Sequence, residues 1–171
     1  DYVILRTNDD GAGTTWSGAS WSDPALTGPN RIDSGDVDGD GDLDLAATYE
    51  GTGEVVWWEH DTATDQFTVI DSGYTSPTGA HMVDLDRDGA LDVLVSTSRI
   101  GLNNKLTQWF NTQRDGTTWA AELSYWTESG ILHAYPEDVN QDGDVDIVAT
   151  SDYGGGMVTL DNSLAQDGGA G

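Results

Sequence analysis

Short, nearly continuous apolar runs recur along the chain and predict buried β-strands. LDLAATY (43–49), LDVLVST (91–97) and VDIVATS (145–151) are rich in β-branched and small residues and are too short for typical helices. Because their apolarity is continuous rather than alternating, we expect both faces of these strands to be covered. A glycine-containing turn follows the first run, and a second apolar strand, VVWWEHD (55–61), comes after it.

These elements repeat with a period of about fifty residues. Three acidic loops begin at 36, 84 and 138, each directly before one of the apolar runs. The corresponding later strands are VVWWEHD (55–61), TQWFNT (107–112) and MVTLDN (157–162), and an aromatic residue follows a turn at Trp16, Phe67 and Trp119. The strands predicted for the first unit are 31–36, 43–49, 54–60 and 66–71. We therefore expect an all-β fold of β-propeller blades, each a four-stranded antiparallel sheet packed face to face with its neighbours.

The whole chain, 1–171, is interpreted as one β-propeller segment of three repeats. The units lie at about 16–66, 67–118 and 119–171, and residues 1–15 are interpreted as the end of a preceding blade. Propellers usually have four to eight blades, so three do not make an ordinary ring. Either the chain is a piece of a longer one, or incomplete terminal blades associate into a homo-oligomer or filament.

The acidic loops follow the pattern D-x-[DN]-x-D-G-x-x-D, which predicts a calcium site in each. Side chains at positions 1, 3, 5 and 9 can converge on one cation, and position 7 can offer its backbone carbonyl, since calcium takes six to eight oxygen ligands. The predicted ligands are Asp36, Asp38, Asp40, Asp42 and Asp44 in loop 1, Asp84, Asp86, Asp88, Ala90 and Asp92 in loop 2, and Asp138, Asn140, Asp142, Asp144 and Asp146 in loop 3. About three ions are expected, and the loop with Asn140 is expected to bind more weakly.

The three copies of the loop test this interpretation against one another. Position 7 varies, as a backbone ligand should, whereas position 6 is always glycine, which suits a positive φ. Positions 2 and 8 are always aliphatic and are expected to hold the loop against the core. An EF-hand or dockerin shares the opening of this pattern, but both continue into a helix, and an EF-hand needs Glu at position 12, where Ala47, Val95 and Ala149 stand here. Without a cation, carboxylates about 4 Å apart repel by roughly 4 kcal/mol at an effective dielectric constant near 20.

The loops DVDGDGDLD, DLDRDGALD and DVNQDGDVD, each followed by a strand and then by VVWWEHD or TQWFNT, resemble FG-GAP/VCBS repeats. That family includes the propeller of integrin α-subunits. The resemblance implies a β-propeller whose loops bind calcium between the first two strands of a blade. It also implies an extracellular or cell-surface location. The resemblance gives little information about function, because such repeats occur in adhesins, lectins and appendages of secreted enzymes.

Composition narrows the classes of partner. Six basic residues face 31 acidic ones, giving a formal net charge of −25, so nucleic acid is not expected as a partner. The chain has no cysteine, and no apolar stretch approaches the roughly 18 residues of a membrane span.

We expect an extracellular module for adhesion or structural self-assembly, without a catalytic site. The alternative is a carbohydrate-binding module, alone or attached to a secreted polysaccharide-degrading enzyme.

Two further sets of residues are candidates for ligand binding. The first strands of propeller blades line the central channel, so Arg31, Asp33, His81, His133 and Tyr135 are expected to share one region. Trp57–Trp58 and Trp109–Phe110 are interpreted as core, because successive strand residues face adjacent blades. The outer aromatic residues are candidates for stacking on sugar rings: Trp16, Trp21, Trp119, Tyr125 and Trp126.

Overall fold

The computed structural model describes residues 2–60, 66–97, 104–127, 131–151 and 156–162, and every regular element in these ranges is a β-strand. The strands are β1 (Val3–Asn8), β2 (Trp16–Trp21), β3 (Pro29–Gly35), β4 (Asp44–Tyr49), β5 (Glu54–Glu59), β6 (Gln66–Ser72), β7 (Pro77–Val83), β8 (Asp92–Thr97), β9 (Asn104–Asn111), β10 (Trp119–Thr127), β11 (Ile131–Glu137), β12 (Asp146–Ser151) and β13 (Met157–Leu160). The all-β prediction is confirmed. None of the described residues belongs to a helix long and apolar enough to cross a membrane.

Four antiparallel sheets follow one another along the chain, and each is a meander of sequential strands. The strands β1 and β2 form a two-stranded sheet, which we call the N-terminal hairpin. Blade 1 consists of β3 to β6, blade 2 of β7 to β10, and blade 3 of β11 to β13 within the described residues. The prediction of four-stranded antiparallel blades is confirmed for blades 1 and 2.

Hydrophobic clusters lie between successive sheets and hold them face to face. The first joins Val3 of the N-terminal hairpin to Leu45 and other residues of blade 1. The second lies between blades 1 and 2 and brings Val55 against Val93 and Val95. The third lies between blades 2 and 3. The core is therefore divided into layers, and each blade is covered by its neighbours rather than by one central cluster.

Trp57 and Trp58, neighbours on β5, show how one strand serves two layers. Their side chains are 2% and 4% exposed, and they belong to different clusters, because successive strand residues point to opposite faces. Trp57 packs between blades 1 and 2, and Trp58 packs towards the N-terminal hairpin. In blade 2, Phe110 is buried and Trp109 packs against the cluster between blades 1 and 2. The interpretation of these aromatic pairs as core is confirmed.

The second strand of a blade is the most deeply buried. All six residues of β4 and all six of β8 are buried, which confirms that the continuous apolar runs have both faces covered. Small side chains make this possible, because Ala46 stands opposite Trp57 and Ala47 opposite Val56 in the ladder. In β12 of blade 3, Thr150 is exposed, so one end of this strand reaches solvent.

Positions 2 and 8 of the loops are not all held against the core, so that expectation is wrong at two places. Val139, at position 2 of loop 3, is 48% exposed, and Leu43, at position 8 of loop 1, is 61% exposed. The reason is that position 2 is covered by the following blade, whereas position 8 packs on the preceding one. Leu91, for example, lies against Gly35 of blade 1. Val139 has no described blade after it, and Leu43 follows the N-terminal hairpin, whose two described strands include none equivalent to the inner strand β3.

Candidate metal centres and inner-strand site

The three acidic loops share one hydrogen-bonded backbone. The glycine N–H at position 6 donates to the carboxylate at position 1, over 3.1, 3.0 and 3.0 Å in loops 1, 2 and 3. The side-chain oxygen at position 3 accepts the N–H of position 5, and the carboxylate at position 5 accepts the N–H of position 7. Each side chain at positions 1, 3 and 5 thus accepts a hydrogen bond from the loop's own backbone. In loop 2, Asp88 Oδ2 also accepts a hydrogen bond from the guanidinium Nε of Arg114 over 3.0 Å, so this carboxylate is already paired with a cationic side chain.

Two positions of each loop lie in the left-handed region. Position 6 has φ values of 99°, 90° and 90° at Gly41, Gly89 and Gly143, as the glycine pattern predicts. Position 4 is also left-handed, with φ of 79° at Gly39, 61° at Arg87 and 62° at Gln141. Residue type could not have predicted this second turn, because position 4 carries three different side chains.

Carboxylates converge at the first three acidic positions of loops 1 and 2. One oxygen each from Asp36, Asp38 and Asp40 lie within 4.8 Å of one another, and the same holds for Asp84, Asp86 and Asp88. Burial, and then the neighbouring carboxylates of the loop, raise the pKa of Asp38. The cluster is therefore unfavourable for unneutralised charge, as expected for carboxylates held close together.

Unpaired oxygens inside two loops test whether a cation fits. Asp84 Oδ1 and Asp138 Oδ1, at position 1 of loops 2 and 3, are buried and have no hydrogen-bond partner. A buried carboxylate oxygen without a donor costs free energy, and a bound cation removes that cost. Calcium prefers hard oxygen ligands of this kind. The residues present therefore fit a calcium ion at position 1 of both loops.

Loop 3 differs from the others at position 3. The amide oxygen of Asn140 accepts the N–H of Asp142, as an aspartate would, but its Nδ2 donates to the Asp142 carboxylate over 3.0 Å. The amide therefore supplies one ligand oxygen and no charge, and it occupies part of the neighbouring carboxylate. This arrangement agrees with weaker cation binding in loop 3, which stays a prediction.

The side chain at position 7 has a different environment in each loop. Asp42 is exposed, Ala90 is buried, and the Asp144 side chain is 2% exposed and contacts Arg87 of loop 2. The Asp144 carboxylate thus pairs with the neighbouring loop. The expectation that position 7 offers its carbonyl stays a prediction.

The carboxylate at position 9 joins the loop to the end of its blade's third strand. One oxygen of Asp44, Asp92 and Asp146 accepts the N–H of position 2, and the other accepts an N–H of His60, Asn111 or Asn162. These aspartates are each 1% exposed. Burial raises the pKa of Asp92 to about 6, whereas the N–H of Asn162 holds the pKa of Asp146 below its usual range in the last described blade. Position 9 therefore fixes the loop in the fold, and its role as a calcium ligand stays a prediction.

Comparison with known protein families identifies the repeat. A family model described as FG-GAP-like repeat matches residues 36–95, from position 1 of loop 1 into β8. Residues 36–95 form an FG-GAP-like repeat. The match spans the first two loops, and loop 3 repeats the same hydrogen bonds outside it. Neither the curated proteins nor the solved structures contain a match to the chain.

Three inner-strand residues meet at the same place relative to the acidic loops. Asp33, His81 and Tyr135 each stand three residues before a loop, on β3, β7 and β11. His81 Nδ1 lies 3.8 Å from Asp33 Oδ2, and the His81 and Tyr135 rings are 4.6 Å apart between centroids. Burial lowers the pKa of His81, Asp33 opposes this shift, and the charge of His133 adds to it. The structure therefore brings these residues together as expected.

Arg31 and His133 lie beside this row rather than within it. Arg31 donates from its guanidinium to the carbonyl of Asn30 over 2.7 Å, and both Arg31 and His133 are exposed. The row also serves the fold, because Asp33 Oδ2 accepts the N–H of Met82 over 2.9 Å and so joins the inner strands of two blades. A ligand at this row stays a prediction.

The outer aromatic residues differ in exposure. Trp16 is 54% exposed, whereas Trp119 is partly buried against the cluster between blades 1 and 2. The side chains of Trp21, Tyr125 and Trp126 lie outside the described part of the structure. Among the described tryptophans of the outer set, Trp16 is therefore the one that offers an open ring.

Proposed function

We propose that the chain is a calcium-stabilised extracellular or cell-surface module of β-propeller type that works in adhesion or structural assembly, not in catalysis. The observation that carries the calcium part is the pair of buried, unpartnered oxygens, Asp84 Oδ1 and Asp138 Oδ1, inside loops of repeated geometry. The FG-GAP-like repeat supports the module type and its extracellular setting.

Calcium would act on the fold through the loops. The side chains at positions 1, 3, 5 and 9 and the carbonyl at position 7 would hold one ion per loop, in the sets named for loops 1, 2 and 3. A cation bound only by the folded state stabilises that state by mass action. Because position 9 also ties each loop to the third strand of its blade, ordering a loop would order the blade it belongs to.

The experiment is thermal unfolding and calorimetric titration with calcium, magnesium and a chelator. We expect calcium to raise the melting temperature, chelation to lower it, and magnesium to have a much smaller effect. Asp84→Asn should weaken the calcium response, since it removes a charge from loop 2. Glu50→Gln, which removes an exposed carboxylate in the turn between β4 and β5, is the matched control. A melting temperature that calcium and chelator leave unchanged would contradict the proposal.

The carbohydrate-binding alternative has one observation in its favour, the exposed ring of Trp16. Aromatic rings that present an open face can stack on sugars. The test is a glycan array followed by tryptophan fluorescence titration of the best ligand, with Trp16→Ala beside the original chain. Saturable quenching that Trp16→Ala removes would support the alternative, and an array without binding would leave assembly as the function.

A further inference from the structure

A nine-residue hairpin sequence occurs twice in the chain. Residues 8–16 read NDDGAGTTW and residues 111–119 read NTQRDGTTW, so both follow N-x4-G-T-T-W. In each, the asparagine Oδ1 accepts the glycine N–H over 3.0 Å, and the tryptophan Nε1 donates to the glycine carbonyl. The glycines, Gly13 and Gly116, have φ of 76° and 68°. The two hairpins therefore have the same local structure.

The second hairpin is docked on the preceding blade. Asn111 is 1% exposed and donates its Nδ2 N–H to the carbonyl of Val37 in loop 1 over 3.0 Å. Gly116 lies so close to Trp57 of blade 1 that a Cβ at this position would overlap the indole ring. Trp119 packs against the cluster between the two blades. Asparagine, glycine and tryptophan thus form a contact surface for a neighbouring blade.

The asparagine contact recurs between blades 2 and 3. Asn162 donates its Nδ2 N–H to the carbonyl of Leu85 over 2.9 Å. Val37 and Leu85 both occupy position 2 of their loops, and they are 2% and 3% exposed. Blades 2 and 3 therefore each have an asparagine, at or just after the end of the third strand, whose side chain binds the position-2 carbonyl in the loop of the preceding blade.

The N-terminal hairpin and blade 3 each expose one side of this contact. In the N-terminal hairpin, Asn8, Gly13 and Trp16 are all exposed, and a Cβ on Gly13 would meet only the hairpin's own Trp16 ring, at 3.9 Å. At the other end, Val139 occupies position 2 of loop 3 and is 48% exposed. Met157 of β13, also in blade 3, is 74% exposed.

We propose that the N-terminal hairpin of one copy docks on blade 3 of a second copy, with Asn8 Nδ2 donating to the Val139 carbonyl. The occupant is a second copy because the chain carries both halves of this interface: it forms the asparagine hydrogen bond twice within itself and the glycine and tryptophan contact once. Such a contact is heterologous, so it builds a ring or an open filament. The inference deepens the proposed assembly role and rests on it, since the docking surface includes a calcium loop.

Charge makes this association dependent on cations. The chain has a formal net charge of −25, so two copies repel each other unless calcium neutralises the loops. Added salt screens the remaining repulsion between exposed charges. We therefore expect assembly to require calcium and to strengthen with moderate salt.

The experiment is sedimentation velocity on the 171-residue chain in saturating calcium. Asn8→Asp removes the Nδ2 donor but keeps the Oδ1 acceptor for Gly13, and Val139→Lys places a charge on the exposed end of blade 3. The matched controls are Val69→Lys, a 41% exposed valine on β6, and Gln113→Glu, which adds one negative charge in an exposed turn. Circular dichroism and melting curves check that each variant folds.

The original chain and both controls should form oligomers whose population grows with concentration, and each end variant alone should stay monomeric. An equimolar mixture of Asn8→Asp and Val139→Lys should give dimers and nothing larger, because one intact end of each kind remains. A monomeric original chain, a monomeric mixture, or end variants that assemble like the controls would overturn the inference. If calcium stabilises the chain but no assembly forms, only this inference is overturned. If calcium does not stabilise the chain, the proposed function is overturned as well.

Discussion

Arg87 in loop 2 contacts the carboxylate of Asp144 in loop 3, and this ion pair joins two candidate calcium loops across adjacent blades. The two side chains differ in environment, since Asp144 is 2% exposed and Arg87 is 44% exposed. The ion pair therefore mainly stabilises the buried carboxylate of Asp144, whose Oδ2 has no hydrogen-bond donor.

Replacing Arg87 by methionine should destabilise the chain by about 1–3 kcal/mol, the usual cost of leaving a buried polar group unsatisfied. Urea unfolding in saturating calcium measures this change. Asp144→Ala, which copies the alanine found at position 7 of loop 2, should cost less, and the double variant should be no worse than Arg87→Met alone. Additive losses would show that the two residues do not interact.

Asn111 and Asn8 occupy equivalent positions but differ in burial, and this predicts different costs for the same substitution. Asn111→Asp replaces a buried N–H donor by an oxygen facing the Val37 carbonyl, so we expect a loss of about 1–3 kcal/mol. Asn8→Asp should leave the stability of the monomer within about 0.5 kcal/mol, as is usual for exposed sites. Chemical denaturation at low protein concentration measures both changes in stability. Equal losses would contradict the expectation that burial makes the Asn111 substitution the more costly one.

Gly116 and Gly13 make a second matched pair. Alanine at either position must adopt a left-handed conformation, which costs roughly 1–2 kcal/mol. Only at Gly116 does the new Cβ also meet the Trp57 ring, which adds an overpacking cost of about 1–3 kcal/mol. Denaturation midpoints should therefore fall further for Gly116→Ala than for Gly13→Ala. Equal midpoints would mean that Trp57 moves away without cost, and a larger fall for Gly13→Ala would contradict the prediction.

His81 predicts a dependence of stability on pH. Burial lowers its pKa in the folded chain below the ordinary value of 6.5, with Asp33 opposing and His133 adding to the shift. The unfolded chain then binds the proton more readily, so stability is full above pH 6.5 and falls as the pH drops through and below that value. The slope from this one group cannot exceed about 1.4 kcal/mol per pH unit.

The measurement is unfolding free energy between pH 7.5 and 5 in saturating calcium, comparing the original chain with His81→Gln. The loop carboxylates contribute equally to both proteins, so the difference between them isolates His81. We expect the variant to lose less stability on acidification. A larger loss in the variant would mean that the Asp33 contact outweighs burial and that the sign is wrong.

The convergence of loop carboxylates could be predicted from sequence because it is local. A side chain at position 1, 3 or 5 of a tight turn lies beside its own backbone and its neighbours, and glycine at position 6 permits the φ near 90–99° that Gly41, Gly89 and Gly143 adopt. The strand boundaries of blade 1 were similarly predictable, because turns interrupt short apolar runs.

What sequence could not predict depends on partners distant along the chain. Val37 and Val139 have the same type and loop position, yet one is 2% and the other 48% exposed, because a following blade covers only the first. The two N–H groups that bind Asp92 come from seven residues before it and nineteen after it. Only the packing of strands determines such a contact, although N-x4-G-T-T-W was a sequence signal for the repeated hairpin.

Asn111 has one more consequence, which concerns cooperativity. Its backbone N–H binds Asp92 of loop 2 while its side chain binds Val37 of loop 1, and Asn162 links loops 2 and 3 in the same way. Each asparagine therefore transmits the order of one loop to the next. An ion bound in one loop orders the neighbouring loop and so reduces the entropy that the neighbour loses when it binds its own ion. We therefore expect calcium to bind to the three loops with positive cooperativity.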